Sequence, residues 1–233
     1  MNDMLSKIIS TARKEGLFGV LREAIRFKIY LPARSIWNIA LDRYHKIDTE
    51  EIVSLNSLGL PEDAGERCES TPIGEFLQIM RRFTIGPNDV FLDIGSGKGR
   101  TVLLAGRYAF KRIIGVDISM ELNAVAEKNV RTLRGKLACK KYEFVTSNAL
   151  DYKIPVDVTY IYLFNPFSYK VLNSVLCNIR ESIALNTRDV TLIYYNPKYS
   201  LEIEKEHKLV KIMSVEFNHW SLYKSRCFVY KFA

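Results

Sequence analysis

Asp93-Ile94-Gly95-Ser96-Gly97-Lys98-Gly99-Arg100 follows the apolar run Val90-Phe91-Leu92 and leads into Thr101-Val102-Leu103-Leu104-Ala105. A short apolar run ending on an acid, then three glycines, then a helix-forming stretch, reads as strand, tight turn and helix. Open α/β sheets receive their ligands at such a strand end. Three turn types share this neighbourhood, and spacing separates them. A P-loop needs Gly-Lys followed by Ser or Thr, with another glycine five positions upstream; here Gly99 follows Lys98 and the upstream position is Leu92. A dinucleotide fingerprint counted from Gly95 puts Arg100 where the third glycine belongs, which weakens that reading. What remains is Asp-x-Gly-x-Gly-x-Gly.

Around this turn, helices and strands alternate. A helix from Ile73 to about Phe83 leads through Gly86-Pro87 to the strand Val90–Ile94, and a helix from Arg100 to about Ala109 follows the turn. Next come the strand Ile113–Asp117, the helix Met120–Leu133, strands at Tyr142–Ser147, Asp157–Asn165 and Val190–Asn196, and the helix Tyr169–Leu185 between the last two. Residues Leu209–Phe217 and Leu222–Phe232 are two strand-like runs separated by Asn218-His219-Trp220-Ser221, which suits an antiparallel hairpin. The expectation is an α/β protein: a Rossmann-like, doubly wound, seven-stranded sheet with a C-terminal antiparallel hairpin and an N-terminal helical extension.

The extension reads as residues 1–60 and the α/β domain as 61–233. Leu5, Ile8, Ile9 and Ala12 recur at helical spacing with Gly16 as a stop, Leu17 to Ile25 form a second run, and Pro32 opens a third helix carrying Ile36, Trp37 and Ala40. From Asp48 to Glu69 the chain reads as a connector. With 233 residues, 48% of them hydrophobic and 26% charged, the chain suits one well-cored domain with an attachment and is not a disordered or collagen-like composition. Net charge is +8, and residues 1–40 hold seven basic against three acidic residues, or +4. An excess of this kind favours anionic company: an acidic protein, nucleic acid, or weak contact of the N-terminal helices with an anionic membrane surface. Cys68, Cys139, Cys177 and Cys227 form no compact framework, and the first thirty residues carry neither a span-length apolar run nor a signal-peptide pattern. Those features point to the cytoplasm, with a peripheral membrane position as a second option.

The turn resembles the first motif of the class I S-adenosylmethionine (SAM)-dependent methyltransferases, and the resemblance runs from about Glu66 to the C-terminus. It implies SAM as cofactor. Gly95, Ser96, Gly97 and Gly99 would let the backbone approach the methionine part, and Asp93 would accept from its ammonium. Asp117, 22 residues after Gly95, would take the ribose hydroxyls, although an Asp after a strand is as readily a helix cap. Ile118 would lie against the adenine, and Asn148-Ala149 stand where these enzymes usually carry an Asp beside a small residue at the adenine edge. Asn165-Pro166-Phe167 resembles the Asn/Asp-Pro-Pro-aromatic motif of amino-directed methyltransferases, one proline shorter. There the Asn oxygen aims a substrate nitrogen and Phe167 stacks on a planar group or closes around an alkylammonium; Asn-Pro is also an ordinary turn.

The stretch Glu69 to Arg100 is similar to bacterial methyltransferases distantly related to the non-SET histone-lysine methyltransferases, and Lys46-Ile47-Asp48-Thr49-Glu50-Glu51-Ile52-Val53 resembles their lead-in. In that group a segment corresponding to Cys68-Glu69-Ser70-Thr71 folds over the cofactor. Glu69 and Thr71 are thus candidate cofactor contacts, with capping of the Ile73 helix as the alternative. Cys68 replaces a usual aromatic. The three histidines, His45, His207 and His219, lack metal-ligand spacing, and no metal is expected. A methyl-acceptor amine, on a protein lysine or elsewhere, is the leading expectation. RNA or DNA methylation, or a non-catalytic SAM- or nucleotide-binding scaffold at a membrane, are the alternatives. Tyr194 and Tyr195 either line an acceptor pocket or pack as strand aromatics.

Overall fold

The computed structural model describes residues 16, 19, 21, 31–50, 70–164, 167–219 and 223–232. Most of the helical run expected before residue 31 lies outside these, as do Cys68, Glu69, Asn165 and Pro166. Helix α1 spans Leu31–His45, with Pro32 in its first turn, where its missing N–H costs nothing. Then follow α2 (Ile73–Met80), β1 (Val90–Ile94), α3 (Arg100–Ala105), β2 (Arg112–Asp117), α4 (Met120–Leu133), β3 (Tyr142–Thr146), β4 (Tyr160–Phe164), α5 (Tyr169–Leu185), β5 (Thr191–Tyr195), α6 (Ser200–Glu206), β6 (Leu209–His219) and β7 (Tyr223–Phe232). No helix among the described residues is long and apolar enough to cross a membrane.

The seven strands form one sheet in the order β3-β2-β1-β4-β5-β7-β6. Strands β1 to β5 are parallel, β7 runs antiparallel beside β5, and β6 lies outside β7. The chain winds outward from β1 to β3 and then crosses to β4. The strand order therefore switches between β1 and β4, and the carboxyl ends of these strands are where sheets of this topology bind ligands. All five residues of β1 are buried, as a central parallel strand covered on both faces requires. Successive residues point to opposite faces: Phe91 packs with Phe76, Ile79 and Tyr162 on one side, and Leu92 with Ile161, Val175 and Ile179 on the other.

Several boundaries differ from the sequence expectation for local reasons. Helix α3 stops at Ala105 because Gly106 takes the C-cap, and β4 begins at Tyr160 because Val156-Asp157 turn before it. Helix α6 was not anticipated. It has seven residues and buries only Ile203, too little for a helical period to register.

Candidate cofactor and acceptor site

The glycine-rich turn joins β1 to α3. Gly95, Gly97 and Gly99 have φ of 83°, 52° and 80°. The amides of Gly95 and Ser96 both donate to the carbonyl of Val116, at 2.8 and 3.0 Å, which pins the turn to the end of β2. Gly99 admits no side chain, since an added Cβ would lie 2.8 Å from Cβ of Ala126. Gly99→Ala should therefore lower stability by about 2–4 kcal/mol, combining left-handed backbone strain with overpacking, as read from urea denaturation. Gly115 on β2 clears the same region from beneath: a Cβ there would sit 2.9 Å from Oγ of Ser96. That hydroxyl is buried and has no hydrogen-bond partner among the described residues, so a polar group is called for at the turn.

Asp117 ends β2, and its carboxylate already has two partners. Oδ2 accepts from the Gly97 amide at 2.8 Å and Oδ1 from the Ser119 amide at 2.9 Å. Capping of α4 falls instead to Ser119, whose Oγ accepts from the Leu122 amide at 3.2 Å. About four lone-pair sites exist on a carboxylate, so roughly two remain on Asp117. Burial pushes its pKa up against the pull of those amides.

Asp93, last but one in β1, is 3% exposed. Burial, reinforced by the charge of Asp117, pushes its pKa up to about 8, against a lowering hydrogen bond from Thr101. Neither acid forms an ion pair with a described residue. A buried carboxylate and a half-buried one, at the ends of two adjacent strands, make a seat for a cation. A cationic ligand that requires ionised Asp93 must expel its proton below pH 8. Affinity should then rise about tenfold per unit from pH 6 to 7.5, and calorimetry in buffers of different ionisation enthalpy should register close to one proton released at pH 7.

Thr71 lies beside this acid. It is buried, with Oγ1 3.0 Å from Thr101 Oγ1 and 3.2 Å from the hydroxyl of Tyr162, so a hydroxyl chain runs from Asp93 to Tyr162 in the middle of β4. Pro72 occupies the N-cap position of α2 with no side-chain cap bond, and Ser70 donates to the Thr49 carbonyl at 2.8 Å. Neither Ser70 nor Thr71 caps the helix.

On the acceptor side, Phe164 ends β4 and Tyr195 ends β5. Their rings meet edge to face at 4.7 Å. The Tyr195 hydroxyl donates to Oε2 of buried Glu75 on α2, and Ser225 Oγ donates to the same oxygen at 2.7 Å. Burial and the Glu75 charge raise the Tyr195 pKa far above the phenol range, keeping it a donor. Tyr194 points the other way, into the core with Tyr230. Phe167 is buried among Leu172, Tyr194 and their neighbours. Ile118 and Ala149 are half-buried, while Asn148 is exposed and turns its Oδ1 back to the Leu150 amide at 3.0 Å.

A strap from the N-terminal side closes over the turn. Arg100, 5% exposed, donates from Nε to Thr49 Oγ1 at 2.8 Å and from Nη1 to Glu50 Oε2 at 2.5 Å, with Asp42 at 3.6 Å. Lys98 pairs with Asp48 at 2.8 Å, and Asn129 of α4 donates to the carbonyls of both Asp48 and Lys98.

The sequence profile of the family described as "Histone methylation protein DOT1" matches residues 71–217, which include the turn, the hydroxyl chain and the ends of β4 and β5. The chain belongs to the DOT1 family. It is accordingly a class I SAM-dependent methyltransferase, and SAM is its cofactor. No curated protein matches the sequence. Solved structures share the fold of this DOT1-family chain at low identity. An uncharacterised protein from Listeria monocytogenes serotype 4b is 14% identical, with 71% of this chain and 69% of that chain covered at a TM-score of 0.53. A candidate tRNA (m1A22) methyltransferase from Streptococcus pneumoniae is 17% identical over 67% and 69%, at 0.52. A candidate RNA methyltransferase from Pyrococcus horikoshii is 18% identical over 70% and 84%, at 0.50.

In the DOT1-family fold, the residues expected around the cofactor fall into two groups. Asp93, Gly95, Ser96, Gly97, Gly99, Thr71 and Asp117 meet around one turn, whereas Ile118, Asn148 and Ala149 sit on the loops after β2 and β3. Sequence reading missed Glu75, Thr101, Tyr162 and Phe164. Glu75 carried a visible signal: it is the one charge in the apolar helix Ile73-Gly74-Glu75-Phe76-Leu77-Gln78-Ile79-Met80.

Proposed function

We propose that this DOT1-family enzyme methylates an amine nitrogen, with a protein lysine as the leading acceptor. Buried Asp93 and half-buried Asp117 at the β1 and β2 ends would seat the cofactor, and the observation that carries the amine reading is the aromatic pair Phe164 and Tyr195 at the β4 and β5 ends, whose rings meet at 4.7 Å. Asp93 would accept from the ammonium of the cofactor, with Thr101 and Thr71 fixing its orientation. The amides around Gly95, Ser96, Gly97 and Gly99 would cradle the methionine part, Ser96 Oγ gaining the partner it lacks. Asp117 would offer its remaining lone pairs to the ribose, and Ile118, Asn148 and Ala149 would border the adenine. Glu69 is proposed as a further contact from the segment before Thr71.

SAM supplies a methyl group on an already activated sulfonium leaving group, so the protein's part is positioning and exclusion of water. Asn165 and Pro166 would present acceptor atoms to the substrate nitrogen, and Phe167, anchored in the core, would hold that turn. Phe164 and Tyr195 would form an aromatic wall suited to an alkylammonium. The amine must shed its proton to attack, so desolvation by this wall, which lowers an amine pKa from about 10.4, must outweigh the attraction of the rings for the ammonium. The domain division at residue 60 is retained, with the strap from Asn38 to Glu50 serving the catalytic unit.

Methyl-labelled SAM incubated with a lysate tests the acceptor. Protease treatment beforehand should abolish labelling and nuclease should not; the reverse would favour RNA, the second reading, which the exposed basic residues after α4 support.

A further inference from the structure

The loop from the end of α4 to the start of β3 is the most basic part of the described surface. Lys128, Arg131, Arg134, Lys136, Lys140 and Lys141 are all exposed, and residues 128–141 contain no acid. Three of them, Arg131, Arg134 and Lys140, line a cavity of about 230 Å³ whose floor is formed by Tyr142 and Phe144. Those two rings share one face of β3 by strand alternation, while Glu143 between them points away and is held by Arg112 at 2.7 Å. Of the six basic residues, Lys141 reaches Glu143, at 3.8 Å, whereas the three in the cavity make no ion pair with an acid of the strand. Their only acidic company in the cavity is Glu127, 3.9 Å from Arg131.

This cavity lies at the amino end of β3, whereas the cofactor turn lies at the carboxyl ends. The two are linked by the Phe144 ring, which lines the cavity and lies 3.7 Å from where a Cβ on Gly99 would stand. An extended polyanion could lie in both places. No large hydrophobic residue within 128–141 is exposed, so the surface lacks the apolar face by which a basic segment enters a membrane. Cationic side chains and aromatic rings lining one concavity large enough for one base are the features that bind single-stranded nucleic acid. Glu127 is an acceptor in an otherwise cationic cavity, which suits a hydroxyl donor such as the ribose 2′-OH.

We propose that Arg131, Arg134, Lys140, Tyr142, Phe144 and Glu127 form a docking site for single-stranded RNA, on the edge strand β3 and the end of α4, away from the ends of β4 and β5 where methyl transfer is placed. The proposal does not depend on which atom is methylated, since RNA docked here can be the acceptor or can carry a protein that is.

Fluorescence anisotropy of the full chain with a labelled mixed-sequence 20-nucleotide RNA tests it, with DNA of the same sequence and polyglutamate as comparisons. Three phosphate contacts predict a slope of log affinity against log salt of about −2. The triple variant Arg131→Glu/Arg134→Glu/Lys140→Glu should bind RNA at least tenfold more weakly, and Glu127→Ala, which removes the acceptor, should lose the preference for RNA over DNA. A control reversal of three other exposed lysines, Lys153→Glu/Lys170→Glu/Lys205→Glu, should stay within about threefold of the native protein at 0.15 M salt, because charges off the contact surface are largely screened. Equal weakening by the two triple variants would overturn the proposal, as would displacement of RNA by polyglutamate as effective as by unlabelled RNA. Titrating SAM into the docking variant separates this test from the cofactor assignment: binding there should be unchanged.

Discussion

Replacing Arg100 with methionine is expected to lower stability by about 3–5 kcal/mol, because it leaves Glu50 and Asp42 buried without their cation. The guanidinium is 5% exposed and bonds to Thr49 and Glu50, while Glu50 also accepts from Asn38 at 2.8 Å and Asp42 accepts from the Thr49 amide at 2.5 Å. Removing the charge therefore strands a connected set of acceptors. Combining Arg100→Met with Glu50→Gln should recover part of the loss, and a double-mutant cycle by urea denaturation measures the coupling. If Arg100→Met unfolds at the native midpoint, the strap is not a buried ionic latch.

The second large effect is at Asp93, and its sign differs between stability and binding. The folded-state pKa of about 8 stands above the ordinary 3.8, so the folded protein holds a proton that the unfolded chain releases between those values. Stability without cofactor should therefore fall as pH rises from about 4 to 8. Asp93→Asn removes this dependence and should make the cofactor-free protein more stable than the native one at pH 8. The same substitution removes the anionic acceptor for the cofactor ammonium and should weaken SAM binding at least a hundredfold, as expected for a buried charged hydrogen bond worth about 3 kcal/mol. A variant that is more stable yet unable to bind separates a ligand-directed acid from a structural one.

Where local signals are strong, the fold is legible in the sequence. Helices Met120–Leu133 and Tyr169–Leu185 have the limits expected from their patterns, the former fixed by Ser119 at its N-cap. The order of alternation and the hairpin were equally plain. That β7 would insert between β5 and β6 was not, because strand pairing is set by sheet-wide packing rather than by the hairpin's own residues. In the site, Asp93 and the glycines declare themselves by spacing along a few residues. The role of Arg100 does not: its partners Thr49 and Glu50 lie about fifty positions upstream, and in the sequence it registered only as an unwelcome residue in a glycine's place. The Thr71–Tyr162 bond spans 91 positions and was equally invisible.

Calorimetric titration of SAM into the native protein and Asp93→Asn, side by side at pH 7, tests the central assignment most directly. The native protein should bind one equivalent with close to one proton released, and the variant should show no saturable heat. Equal affinity of the two proteins, or no binding by the native one, would contradict the placement of the cofactor at Asp93.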